Sequence, residues 1–164
     1  MPAQTPTLSD AAATFDPAAE TRVNALLIEG RDAPISTSTP YVMGLTDSFA
    51  GTYASGVDED WVRISLTAGT TYEFSLTSSG NDTYLYLYDA QGYEIRYDDD
   101  GGAGSNSLIR FTATTTGSYY LGATQYGSSG GTGSYTLTAG TVAPPAVWTV
   151  QQMADQLINT YWES

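Results

Sequence analysis

From Asp47 to Ala139 the chain alternates apolar and polar residues in short runs, most of them closed by glycine or a small polar turn. Asp60 to Thr67 sets Val62, Ile64 and Leu66 against Trp61, Arg63 and Ser65, and Thr71 to Thr77 places Tyr72, Phe74 and Leu76 between polar neighbours. Asp47–Tyr53, Thr83–Tyr88, Tyr93–Tyr97, Ser107–Ala113, Ser118–Gln125 and Ser134–Ala139 read the same way. Seven to eight short strands without intervening helices predict an all-β fold, an antiparallel β-sandwich of jelly-roll type.

The period changes on both flanks. Residues 1 to about 15 are small and polar and read as loose. Asp16 as a cap, Pro17 at the first position, Glu20 in the first turn and Gly30 as a stop predict a short N-terminal helix over about 17–29. Near the C-terminus, Val150, Met153, Ala154, Leu157, Ile158, Tyr161 and Trp162 fall at helical spacing behind a capping box at Thr149 and Gln152. The expected organisation is an N-terminal extension over 1–31, a sandwich over 32–140, a proline-containing linker over 141–147 and a helix over 148–164.

Charge narrows the partners. Among 164 residues, 18 acids face five arginines, for a formal net charge of −13. That argues against nucleic acid and anionic membrane surfaces, both of which select basic faces. No apolar run reaches the length of a membrane span, and residues 1–10 lack the pattern of a Sec-type signal. The chain has no cysteine and no histidine, which removes disulfides, thiolate metal sites, HExxH zinc chemistry and Ser-His-Asp catalysis from it. The paired acids Asp58 and Asp60 are close in sequence, and nothing else supports glycosidase chemistry there.

The candidate chemistry is cation binding. Asp98, Asp99 and Asp100 enter a loop with glycines at 101, 102 and 104, Asn106 closes it, and Asp82 begins a neighbouring strand. Hard cations take six to eight oxygen ligands from such flexible loops, so calcium is the candidate metal. Asp58 and Asp60 form a second, weaker candidate pair. No glutamate completes an EF-hand loop, and a single stretch resembling a repeat-in-toxin nonapeptide cannot stack into a roll. The plain alternative is that these acids cap turns and stay solvated. Tyr84, Tyr86 and Tyr88 share one strand face, with Tyr93, Tyr97, Tyr119, Tyr120 and Tyr126 elsewhere. Cross-strand packing accounts for them, and gripping a protein or polysaccharide substrate is the functional alternative.

Five motifs resemble the bacterial pre-peptidase C-terminal (PPC) domain family: Asp58 to Trp61, Leu66 to Tyr72, Leu87 to Asp89, Asp99 to Gly102 and Gly133 to Leu137. The resemblance spans about residues 32–140 and implies a β-sandwich accessory module of secreted bacterial hydrolases, most often peptidases. Thr149, Val150, Gln152, Ala154, Gln156, Leu157, Tyr161 and Trp162 resemble the opening helix of serralysin-type zinc metallopeptidases, with Thr160 where glycine is usual. Together these resemblances imply a non-catalytic N-terminal module of a secreted, extracellular metallopeptidase whose zinc site lies outside this chain. Type I export by a C-terminal signal would then account for the absence of a leader. In that reading Val150, Met153, Leu157, Ile158, Tyr161 and Trp162 dock against the catalytic domain of the same polypeptide. The module would assist folding, regulation or substrate positioning. An independent protein- or glycan-binding module and a structural spacer are the alternatives.

Overall fold

The protein is described here by a computed structural model covering residues 24–127 and 131–143. Nine strands form: β1 Leu26–Ile28, β2 Ser48–Tyr53, β3 Glu59–Leu66, β4 Thr71–Ser78, β5 Thr83–Tyr88, β6 Glu94–Asp98, β7 Ser107–Thr112, β8 Gly117–Gln125 and β9 Gly133–Thr141. One sheet has the order β1-β2-β9-β4-β7 and the other β3-β8-β5-β6. All pairings are antiparallel except β1 with β2.

The alternation explains both sheets. Val62, Ile64 and Leu66 of β3, Phe74 and Leu76 of β4, Leu85 and Leu87 of β5, and Leu137 of β9 are all buried, and they join one core cluster. Their odd-numbered or even-numbered neighbours turn outward, as the pleat requires. β9 lies centrally in its sheet, with Phe49 opposite Leu137 on one side and Leu76 opposite Leu137 on the other. Burying that many large apolar side chains, at roughly 1.5–3 kcal/mol each, is what offsets the entropy of ordering the strands.

The N-terminal flank corrects the sequence reading. Leu26–Ile28 lie in a parallel edge strand, not in the last turn of a helix over 17–29. Ser48 N–H donates to Ala25 O at 2.9 Å, and Glu29 N–H donates to Ala50 O at 2.9 Å. The Asp47 carboxylate accepts from Ala25 N–H at 3.1 Å. A three-residue apolar run has no period of its own, so the exposed edge of β2 decides its conformation. The rest of that helix, and the C-terminal segment with Val150, Met153, Leu157, Ile158, Tyr161 and Trp162, lie outside the described residues.

After β1 the chain leaves one sheet and straps across the other. Tyr41 Oη donates to Arg31 O at 2.6 Å and accepts from Gly30 N–H and Arg31 N–H. Val42 bridges Arg63 on β3, and Tyr120 Oη donates to Thr37 O at 2.9 Å. The loops 54–58, 79–82 and 99–106 gather at one end of the sandwich, where Thr83 N–H donates to Ser105 O. The described chain enters beside Asp47 and leaves at Val142, whose N–H donates to Thr71 O, so it both enters and leaves at the opposite end.

Candidate functional site

The loop after β6 is built by two side chains that serve the backbone. Asp98 Oδ2 accepts from Gly101 N–H at 2.8 Å and from Leu108 N–H at 2.7 Å, which ties the start of the loop to β7. Asn106 Oδ1 accepts from Ser78 N–H at 2.9 Å, and its Nδ2 donates to Ala103 O at 2.7 Å. Gly102 N–H donates to Asn106 O at 2.8 Å. Both residues therefore act as loop-closing polar groups of the kind favoured in turns.

The remaining acids of this loop converge. Asp82, Asp99 and Asp100 each bring a carboxylate oxygen within 4.8 Å of the others. Asp99 is half-buried, and its Oδ1 is out of contact with solvent and has no hydrogen-bond partner among the described residues. Burial raises the Asp99 carboxyl above its usual range, and the charges of Asp100, Asp82 and Asp98 add to the shift. An unpartnered carboxylate oxygen beside two further acids is an arrangement that a hard cation would relieve.

A second acidic group lies under the strap. Asp60 is 0% exposed and faces inward from the start of β3. Its Oδ2 accepts from Tyr135 Oη at 2.6 Å, and its Oδ1 accepts from Ala33 N–H at 3.1 Å. Glu29 Oε1 also accepts from Ala33 N–H, and Glu29 Oε2 accepts from Thr52 N–H at 2.8 Å. Asp32 completes a trio whose oxygens lie within 4.8 Å of one another. Gly51 makes room for the Tyr135 ring, since a Cβ there would lie 2.3 Å from it. Burial pushes the Asp60 carboxyl up to about 7; the Tyr135 hydrogen bond opposes this, and the charges of Glu29 and Asp58 reinforce it. Burial and the Asp60 charge also raise Tyr135 and Tyr53 above the normal tyrosine range.

The sequence pair Asp58 and Asp60 is thus divided. Asp58 Oδ2 accepts from Ala54 N–H at 2.6 Å in the loop before β3, outside the trio around Asp60. Sequence reasoning missed Glu29 and Asp32, because it placed Glu29 in a helix and Asp32 at a domain boundary. Their only sequence signal is two acids flanking a turn. Asp60 has no access to solvent, whereas Asp82 and Asp100 of the other trio are exposed.

The outer face of the four-stranded sheet carries an aromatic band. Ring centroids are 4.9 Å apart for Tyr84 and Tyr86, 5.6 Å for Tyr86 and Tyr88, and 4.1 Å for Tyr88 and Trp61. Tyr97 lies 5.5 Å and Tyr126 6.0 Å from Tyr84. Glu59 Oε1 accepts from Trp61 Nε1 at 2.6 Å and from Tyr88 Oη at 2.7 Å. Gly122 permits this approach, because a Cβ there would meet Glu59 Oε1 and the Tyr88 ring.

Residues 58–125 match the family model of the bacterial pre-peptidase C-terminal domain. Among solved structures, the chain is similar to the pre-peptidase C-terminal domain of a collagenase from Bacillus anthracis, with 22% identity and a TM-score of 0.49, over 60% of this chain and 92% of that one. It is also similar to a periplasmic inhibitor of g-type lysozyme from Aeromonas hydrophila, with 14% identity and a TM-score of 0.48, over 72% of this chain and 100% of that one. A surface-associated copper-binding protein of Methylomicrobium album BG8 gives 10% identity and a TM-score of 0.45, over 62% of this chain and 99% of that one. No curated protein sequence matches. The matched stretch, with its strand starts and its Asp99–Gly102 loop, falls within one sandwich and is similar to the bacterial pre-peptidase C-terminal domain.

Proposed function

We propose that this chain is a non-catalytic accessory module of a secreted bacterial serralysin-type metallopeptidase, stabilised by calcium at Asp82, Asp99 and Asp100. The PPC domain is an accessory domain of peptidases, which supports the general role. The likeness of residues 149–162 to a serralysin opening helix supports the specific parent. The zinc and the hydrolytic step belong to that catalytic domain, and this module serves its folding, regulation or substrate positioning.

The calcium assignment rests on one observation, the solvent-excluded Oδ1 of Asp99 with no partner among the described residues. Asp82 and Asp100 supply further carboxylate oxygens, and loop carbonyls and water complete a coordination shell of the usual size for calcium. Isothermal titration of the cation-free chain with calcium tests this. Saturable uptake that disappears in Asp99→Asn is expected, and no heat of binding would refute it.

The tyrosine band favours a second reading, in which the domain also binds a macromolecule in its own right. Tyr97 and Tyr126 are 56% and 58% exposed, more than packing within the sheet requires. Retention of the isolated chain on immobilised protein or polysaccharide separates this reading from a purely intramolecular role.

A further inference from the structure

The aromatic band is divided by the strap. Trp61 and Tyr120, at the strap end, are each only 6% exposed, and Tyr120 is bonded to Thr37 of the strap. Beyond them Tyr88, Tyr86, Tyr84, Tyr97 and Tyr126 continue the band, and Tyr97 and Tyr126 are well exposed. Tyr84, Tyr86 and Tyr126 line a shallow cavity of about 260 Å³ with Thr124 and Gln125. Part of this face is thus already covered by an extended segment of the chain itself, and the other part has the same chemistry without that cover.

Carboxylates of Glu59, Glu94 and Asp99 act on the rings of the open part. Burial pushes Tyr84 up to about 12, with further contributions from Asp99 and Glu94. Burial likewise raises Tyr86 and Tyr88, and Glu59 and Glu94 act on both. We infer that the open part of the band, centred on Tyr84, Tyr86 and Tyr97, binds an extended, basic protein segment through its arginine or lysine side chains. A cationic head group gains from the ring faces and the carboxylates together. A neutral glycan gains only from the rings, and an anionic one is repelled. Alternate side chains of an extended segment repeat at about 6.6 Å, so two of them can reach different rings of a band whose neighbouring centroids are 4.9 and 5.6 Å apart. This inference rests on the macromolecule-binding reading and names its ligand class.

The test uses the full 164-residue chain. Fluorescence anisotropy would compare a labelled nonapeptide of alternating serine and arginine with its citrulline counterpart, which keeps the shape and loses the charge. The arginine peptide is expected to bind at least about tenfold more tightly. Tyr84→Ala with Tyr97→Ala should weaken it about tenfold, whereas Tyr84→Phe with Tyr97→Phe should stay within about threefold. Glu73→Gln, which removes a charge from the other sheet, should change it less than about twofold. If the alanine pair melts early, Tyr126→Ala replaces it, since that ring is exposed. Unchanged affinity in the alanine variants, or no binding of the arginine peptide, overturns the inference. Binding of cellohexaose in place of the peptide also overturns it while leaving the macromolecule-binding reading intact; retention of neither removes both.

Discussion

Glu29, Asp32 and Asp60 match Asp82, Asp99 and Asp100 in number and spacing, yet the fold treats the two trios in opposite ways. In the first, Asp60 is fully buried, and Asp60 and Glu29 together accept from two backbone amides and a tyrosine. Its carboxylates hold β1 and the strap against the sandwich. In the second, the backbone bonds go to the flanking Asp98 and Asn106, and the converging acid Asp99 keeps an oxygen without a partner among the described residues. Proximity of carboxylates therefore does not define a site; what matters is whether the protein has already supplied their donors.

The largest effect expected from this contrast is at Asp60. Asp60→Ala leaves Tyr135 Oη without its buried partner and opens a void, and it should destabilise the fold by about 3 kcal/mol in urea denaturation. Asp60→Asn keeps the shape and should cost much less. Next comes pH. The native Asp60 carboxyl titrates near 7, above its unfolded value, so the native state holds the proton more tightly. Its contribution is fully present below the unfolded carboxyl range, at about pH 4. It is lost progressively as pH rises from there toward 7. Denaturation midpoints of the cation-free chain should fall across that window, and Asp60→Asn should flatten the fall.

The exposed trio should respond to calcium instead. At calcium concentrations about a hundredfold above the dissociation constant, stability rises by about 2.7 kcal/mol. A melting scan should show the increase in the parent chain and lose it in Asp99→Asn. Smaller still, Asp98→Ala removes two backbone bonds and should cost about 1–2 kcal/mol without calcium, which a urea midpoint would register. The least effect is expected from Asp99→Asn in cation-free buffer. Relief of burial and like-charge repulsion should leave its midpoint unchanged or slightly raised, and a marked loss would mean that Asp99 is structural like Asp98.

The strands were legible because alternation survives at nearly every turn, so eight of them fall where the pattern places them, to within a residue or two at most ends. β1 was not legible, since Leu26, Leu27 and Ile28 become a strand only through pairing with Ser48, Phe49 and Ala50. In the acidic loop the residue types were readable, but their division of labour was not. Asp98 and Asp99 are adjacent and chemically identical; the amides of Gly101 and Leu108, supplied by the folded loop, separate them. Glu29 and Asp32 meet Asp60 only because the strap crosses between sheets, a contact no local pattern encodes.

That the described chain enters and leaves toward the same end of the sandwich has a mechanical consequence. Tension between the two flanking segments does not run through the length of the domain. It falls first on the outermost ladder, where β1 offers only Leu26–Ile28 at the sheet edge. Peeling those three residues would draw Glu29 away from Ala33 and Thr52 while the inner strands stayed paired. β1 is thus the part of this module that yields first to force, and the strap behind it, with the Tyr120 face it covers, comes next.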